Sequence, residues 1–515
     1  MTVAFTGGRV YTGRRIVEAL LVDDGRVVLA GRDAEVHRAS PSGTTVVALN
    51  GRALVPGLID SHLHLLGTAI RRAGVNLSGA RSLAALLERV SRWAGKHEDG
   101  PIIGSGWDQE SLRERRPPNP TELDRIVPDR PVALYRVCGH VAVVNSIAWE
   151  QTLPRSKEGR SRRDTSSSPV GMLLEGELDR LRPLRRSWLE HRASSLAAVV
   201  REASSYGLTS VGAMNVSYPE FRVIERSLAA LGPMMDVYCY ASLDALGQFR
   251  RRVRPRGESR VRWWGIKVFL DGSLGARTAA LSDVYADAPN ERGRLGPTID
   301  LIEPITEAAE SKVLQLALHA IGDAAVASAV SLIRRVKPKV RPRIEHASVL
   351  SEGLIDELAR VRPFLSVQPS FAVSDSWIGR RLGAGRARWA YPLRTLAERG
   401  LVLSGSSDSP VESMDPWSGM WAATTRRRAA GLDAGERLSP SAAFQLYTTG
   451  SILGDPSMGT LEPGAPADFV RLAVPSVETA VRRGSARVLE TWKRGELVFR
   501  RPAGRDRPRG PRSQR

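Results

Sequence analysis

An apolar run, Leu54-Val-Pro-Gly-Leu-Ile-Asp60-Ser-His62-Leu-His64, ends in two histidines one residue apart. On a strand, side chains at i and i+2 point the same way, so His62 and His64 can reach one ion together. Two imidazoles at the end of a buried strand suit zinc or a similar divalent metal, which takes nitrogen ligands at roughly 2.0–2.1 Å. A hydrogen-bonded or surface pair of histidines fits the same spacing, so further ligands must decide. The chain has eight histidines: His37, His62, His64, His97, His140, His191, His319 and His346. Four of them sit at the ends of strand-like runs. His319 closes Leu314-Gln-Leu-Ala-Leu-His319, His346 closes Arg343-Ile-Glu-His346, and Asp408 follows Val402-Leu-Ser-Gly-Ser-Ser407. Four converging histidines with a carboxylate favour a metal centre over satisfied core histidines.

Lys267, in Trp264-Gly-Ile-Lys267-Val-Phe-Leu-Asp271, adds to this set. An ammonium inside an apolar strand carries a desolvation cost unless it is neutralised or modified. A deprotonated lysine can add carbon dioxide to become a carbamate, whose two oxygens bridge two metal ions. A lysine paired with Asp271, or reaching to solvent, is the alternative.

Short apolar strands, each ending in polar residues and followed by a helical stretch, are what must position these groups. Eight end near His62/His64, Met214, Tyr240, Lys267, His319, His346, Gln368 and Asp408, with helices at Pro304 to Lys312, Ala324 to Arg335 and Leu354 to Arg360 between the later ones. The pattern predicts an α/β fold, a (β/α)8 TIM-like barrel over 56–458 with its site at the carboxyl ends of the strands. About 140 residues separate the first two strands, far more than an ordinary connection. An inserted lid or substrate subdomain over 68–200 is therefore expected above the mouth. It has strand-like runs at Pro101 to Asp108 and Pro131 to His140, and a polar loop from Ser156 to Ser168. Strand and turn signals in 1–55, with a hairpin at Asp24-Gly25, return in 459–500, so both ends read as one composite β-sandwich domain.

The formal charge of +20 comes from 75 basic and 55 acidic residues, with only seven lysines, and is spread along the chain. No basic helix interleaved with aromatics accompanies it, so nucleic acid is not an expected partner. The tail 501–515, rich in Pro, Gly and Arg, is expected to be disordered. No apolar run reaches the length of about 18 residues that a membrane helix needs, and no signal-peptide pattern opens the chain. A cytoplasmic enzyme is the expectation. Cys138 and Cys239 are the only cysteines, which excludes a disulfide framework.

The order His-x-His, Lys, His, His, Asp on strands one, four, five, six and eight resembles the amidohydrolase superfamily in its binuclear, carboxylated-lysine pattern. Longer motifs narrow the likeness. Gly104-Ser-Gly-Trp-Asp108, Arg136-Val-Cys-Gly-His140, the segment Ile266 to Arg277, His319-Ala-Ile-Gly-Asp323, Arg343-Ile-Glu-His346, Ser366-Val-Gln-Pro369 and Asp408-Ser-Pro-Val411 resemble the amidohydrolase-3 group, which includes N-substituted formamide deformylases. Gly207 to Asn215 departs from it by lacking the acidic residue often found after this strand.

The resemblance implies a hydrolase of non-peptide carbon–nitrogen bonds, acting on a small amide or formamide. His62, His64 and Asp408 would hold one metal, His319 and His346 a second, and carboxylated Lys267 would bridge them, with zinc the expected ion. Water held by such cations has its pKa lowered towards about 7. Asp408 is the expected proton carrier to the leaving nitrogen, with His346 also in the catalytic set, and His140 an oxyanion donor or a structural lid residue. Trp107, Asp108, Glu175, Asp271, Ser273 and Arg277 are the expected substrate contacts. Arg277 would meet a substrate carboxylate, or else Asp271 or Asp283. Glu175 is a metal ligand in some relatives but ranks here below Lys267. Related barrels often dimerise, so a homodimer is one assembly the resemblance allows, with the oligomeric state open. Two other readings remain. One is a mononuclear, deaminase-type site using His62, His64, His319 and Asp408, with His346 orienting the water. The other is a non-catalytic barrel that binds acidic partners.

Overall fold

Eight parallel strands form the central sheet of the computed structural model, which describes residues 1–137, 139, 141–152, 171–192, 194–243, 259–296, 314–426 and 432–502. They are β1 (Leu58–Leu63), β2 (Leu208–Val216), β3 (Asp236–Ala241), β4 (Val261–Phe269), β5 (Gln315–Ala320), β6 (Arg343–His346), β7 (Phe364–Val367) and β8 (Val402–Gly405). Each pairs with the next in sequence, and β2 also pairs with β1. Covered on both faces, they are buried nearly throughout, with polar residues in β1 and β6. All six residues of β1, β3 and β5 are buried.

The sheet closes where the chain leaves β8. The Asp408 amide donates to the His62 carbonyl at 2.8 Å, and the His64 amide to the Ser409 carbonyl at 2.7 Å. Asp60 reinforces the seam: its carboxylate accepts from the Ser407 hydroxyl at 2.5 Å and from the amides of Ser407 and His62 at 3.1 and 3.2 Å. The architecture is therefore the (β/α)8 barrel that the strand pattern predicts. Helices follow where the sequence places them, with small shifts at their ends. The segment Ala324 to Arg335 lies within Asp323–Val336, and Leu354 to Arg360 within Glu352–Val361, whose first turn is capped by Ser351. The helix expected over Pro304 to Lys312, the loop Ser156 to Ser168 and nearly all of the basic tail fall outside the described residues.

Both chain ends contribute to one six-stranded sheet. Its order is Glu496–Arg500, Val488–Lys493, Phe469–Leu472, Ala53–Pro56, Arg9–Tyr11 and Ile16–Val17. Beside it lies a four-stranded sheet holding the hairpin of Ala19–Asp23 and Arg26–Gly31. Asp24 and Gly25 turn that hairpin with φ of 44° and 71°, the positive values a tight two-residue loop demands. A third sheet lies within the long connection after β1. It orders Met172–Leu174, Val141–Val144, Val132–Arg136, Ile102–Trp107 and Val75–Asn76 over an apolar core of its own. Among the described residues no helix is long and apolar enough to cross a membrane. Cys239 lies fully buried in β3; Cys138 lies outside the described residues.

Candidate metal centre and its cavity

The carboxyl ends of β1, β4, β5, β6 and β8 bring His62, His64, Lys267, His319, His346 and Asp408 to one place. Ligand atoms of His62, His346 and Asp408 all lie within 4.8 Å of one another. Nε2 of His64 is 3.3 Å from Oδ1 of Asp408, and Nε2 of His62 is 3.2 Å from the same oxygen. The ring of His346 stands 5.0 Å from that of His62 and 4.5 Å from that of His319, centre to centre. The tightest trio thus joins β1, β6 and β8, and so crosses the expected division into a His62/His64/Asp408 site and a His319/His346 site.

Three of the four histidines are locked in tautomer. Nδ1 of His62 donates to Oε2 of Glu345 at 2.6 Å, Nδ1 of His346 to Oε1 of Gln368 at 2.7 Å, and Nε2 of His319 to the Gly272 carbonyl at 3.0 Å. Each outer bond puts the proton on one ring nitrogen and makes the other the lone-pair donor, the arrangement of metal-ligating histidines. Gln368 is itself oriented, since its amide nitrogen donates to the Ser406 hydroxyl at 2.9 Å. Glu345 is fixed by Arg343, whose guanidinium also donates to the Ser61 carbonyl at 2.9 Å and to the Tyr240 hydroxyl at 3.1 Å.

Burial sets the charge states. It pushes His346 down to about 3 and His64 below its ordinary value, which keeps both imidazoles neutral. Burial alone would raise Asp408, but the imidazoles of His62 and His64 outweigh it and hold the carboxyl well below its usual range. Lys267 is 1% exposed. Burial brings its ammonium down to about 8, against the opposing carboxylates of Glu345 and Asp408. Neither Asp271 nor any other described residue hydrogen-bonds its Nζ, which sits 5.0 Å from the centre of the Phe269 ring.

Among the described residues, three buried polar atoms at this spot have no hydrogen-bond partner: Nε2 of His62, Oδ1 of Asp408 and Nζ of Lys267. A native interior leaves few such atoms unsatisfied, and nitrogen and oxygen donors left bare together suit a divalent cation. His346 and Asp408 also hold left-handed backbone, with φ of 75° and 53°. Such strain, of order 1–3 kcal/mol per residue, collects at sites where it positions a reacting group.

The cluster opens into a cavity of about 1020 Å³, lined by His64, His319, His346 and Asp408 from the barrel and by Ser105, Tyr135 and Arg136 from the inserted sheet. Of the expected substrate contacts, Asp271 and Arg277 line it. Asp271 is already engaged, since its carboxylate accepts from the amides of Ile321, Gly322 and Ala280 at 3.0, 2.8 and 3.0 Å. Arg277 pairs with Asp287 at 3.2 Å, and with neither Asp271 nor Asp283.

Trp107, Asp108 and Ser273 are not among the lining residues. Trp107 is buried in the core of the inserted sheet and donates to the Leu134 carbonyl at 2.8 Å. A bulge between Ser105 and Trp107, where Gly106 takes φ of 98°, breaks the alternation and turns the indole away. Asp108 pairs with Arg136 at 2.7 Å, and the Ser273 hydroxyl accepts from the Ala276 amide at 3.3 Å. His140 and the side chain of Glu175 lie outside the described residues.

Glu345, Arg343, Gln368 and Asp60 are the supporting residues that motif reading did not single out. Glu345 and Arg343 stand inside the quoted Arg-Ile-Glu-His run, where a charged pair on a buried strand was the available signal. Asn215, at the position lacking the family's acidic residue, lines the cavity and accepts from Arg182 at 3.1 Å.

Known proteins share this plan. A family model described as "Amidohydrolase family" matches residues 45–499. The protein YtcJ of Bacillus subtilis (strain 168) is 30% identical over 507 residues, which cover 92% of this chain and 94% of that one. An N-substituted formamide deformylase of Arthrobacter pascens is 24% identical over 94% of this chain and 95% of its own. Among solved structures, an uncharacterized metal-dependent hydrolase from Pyrococcus horikoshii OT3 superposes with a TM-score of 0.80 at 31% identity, covering 93% of this chain and 98% of that one.

Proposed function

The chain belongs to the amidohydrolase family, and from that premise we propose that it hydrolyses a non-peptide carbon–nitrogen bond in a small amide or formamide, using two divalent metal ions. The observation that carries this reading is the set of tautomer-locked histidines around three bare buried atoms. His62, His64, His319, His346 and Asp408 would hold the metal, with Lys267 between them as a carbamate. When bound, the metal acidifies water and polarises the substrate carbonyl. The name of the Arthrobacter relative supports a formamide-type substrate.

The remaining work belongs to the chain. For carboxylation the Lys267 ammonium first releases one proton, and the neutral amine then forms one N–C bond with carbon dioxide and releases a second, so a buried cation becomes an anion amid ligand atoms. The lowered pKa of Lys267 makes the neutral amine accessible near neutral pH. Asp408, at the seam between β1 and β8, takes up a proton at its carboxylate and delivers it to the departing nitrogen. Glu345 and Gln368 keep His62 and His346 in their ligand tautomers. Cavity walls from the barrel and the inserted sheet enclose the amide and keep bulk water out.

Elemental analysis of protein purified without chelator, with intact mass, tests the reading. About two metals per chain, a mass increment of one carbon dioxide, and loss of both on Lys267→Ala are expected. One metal indifferent to that substitution would instead indicate a mononuclear site. Absence of bound divalent metal would overturn the proposal.

A further inference from the structure

We propose that the cavity carries a carboxylate subsite formed by Arg71, Ser105 and Tyr135, and that the substrate is an amide bearing a carboxylate at its far end. The inference rests on the hydrolase reading above for the position of the reacting carbonyl. Its other grounds are independent of the metal cluster.

Helix α1 (Leu65–Ala73) starts directly after His64, and His64, Gly67, Ile70 and Arg71 all face the cavity. Arg71 stands two turns beyond His64, hence about 10 Å along the axis. Its guanidinium is partly buried, and burial depresses its pKa. The charge of Glu412 acts on it without an ion-pair contact, and among the described residues the single hydrogen bond of Arg71 is a long one of 3.5 Å to the Ser78 hydroxyl. Among the described residues it is thus a cation on the cavity wall without a direct ion-pair partner.

Ser78 connects it to the inserted sheet. A Cβ placed on Gly106 would meet the Ser78 hydroxyl at 2.3 Å, so the residue that Arg71 contacts lies against the strand position next to Ser105. Ser105 is in register with Tyr135 on the neighbouring parallel strand, about 4.8 Å away across the sheet. Both line the cavity, and both hydroxyl oxygens are buried without a hydrogen-bond partner. Burial pushes the Tyr135 phenol up to about 12, so it stays protonated and donates at neutral pH.

One unpaired guanidinium and two unsatisfied hydroxyls on adjoining elements form a donor set without an acceptor. Leaving such donors unmatched in a partly dry wall is costly. A carboxylate satisfies all three, since its two oxygens accept several hydrogen bonds and its charge matches Arg71. Arg185, which also lines the cavity near Tyr135, is already committed to Glu220 at 3.2 Å. The separation from His64 makes the subsite a ruler that favours an acid whose carboxylate stands on the order of 10 Å from the amide carbonyl over a shorter one.

The test uses N-formyl amino acids from N-formylglycine to N-formylaminohexanoate, each beside its neutral carboxamide, on metal-loaded protein. The long acid should exceed its carboxamide in kcat/KM by about 10- to 100-fold, with the advantage fading as the chain shortens. Arg71→Met should erase that ratio through KM, and Arg71→Lys should restore part of it. Saturable binding of N-formylaminohexanoate by calorimetry, absent for the carboxamide and weakened in Tyr135→Phe, reads the subsite without turnover. If neither probe is hydrolysed yet the acid alone binds, the hydrolase reading is at fault and the subsite stands. Equal binding or equal turnover of acid and carboxamide by the parent protein would overturn the subsite, with no variant required.

Discussion

Lys267 at the barrel's mouth and Lys493 beneath its floor are both almost wholly buried, yet their surroundings differ in kind. Lys493 is 0% exposed and its Nζ donates to Asp236 at 2.7 Å and to Asp468 at 2.6 Å. Asp236 begins β3, Asp468 precedes Phe469–Leu472, and Lys493 ends its own strand, so the trio clamps the barrel floor to the six-stranded sheet. The Asp236 carboxyl, which burial would raise, is held below its ordinary value by the Lys493 ammonium. Lys267 meets no such pair of acceptors. A buried ammonium that is matched by carboxylates serves the fold, whereas one left bare among ligand atoms is available for modification.

The contrast predicts that mouth substitutions remove chemistry and floor substitutions remove stability. Asp408→Asn should lower kcat by on the order of 10²–10⁴-fold while much of the metal stays; full activity would sink the assigned role. Lys493→Met removes the cation shared by Asp236 and Asp468, leaving Asp236 to Arg494 and Arg262 at 3.5 and 3.6 Å, and should cost about 3 kcal/mol in chemical denaturation, with the metal content of the folded fraction kept. A loss of metal at unchanged stability would erase the distinction between the two ends. Glu345→Gln weakens the acceptor behind His62 and should reduce metal affinity about 10- to 100-fold, read by competition with a chelator.

The smallest effect concerns the rim. Asp375 accepts from the Tyr391 hydroxyl at 2.5 Å, and burial raises its carboxyl from 3.8 to about 7. A carboxyl raised on folding favours the native state while protonated. Its contribution is therefore full below about pH 4 and is lost as the pH rises through about 7. Relative to Asp375→Asn, the parent protein should lose melting temperature across that window; a constant difference would contradict the assignment.

What could be read beforehand followed physical periodicity. Strands with one polar end declare their barrel positions, so His62, His64, Lys267, His319, His346 and Asp408 could be found from residue type and spacing. Glu345 escaped notice because strand alternation assigns it and His346 to opposite faces. The left-handed φ of His346 breaks that rule, and both side chains come to lie against His62. Trp107 misled for the converse reason, since the Gly106 bulge, invisible to a two-residue period, turns it into the core. Arg277 found Asp287 rather than a nearer acid in sequence because loop geometry, and not spacing, chose its partner.

The shared sheet also bears on how the chain acquires its shape. Ala53–Pro56 runs straight into β1, and Pro56 lies opposite Phe469. That lead-in strand already pairs with Arg9–Tyr11, but gains its second neighbour only when residues near 469 have been synthesised and brought back. Contacts so distant along the chain slow folding. Assembly at the ribosome should accordingly leave the six-stranded sheet beneath the floor unfinished until the last strands dock.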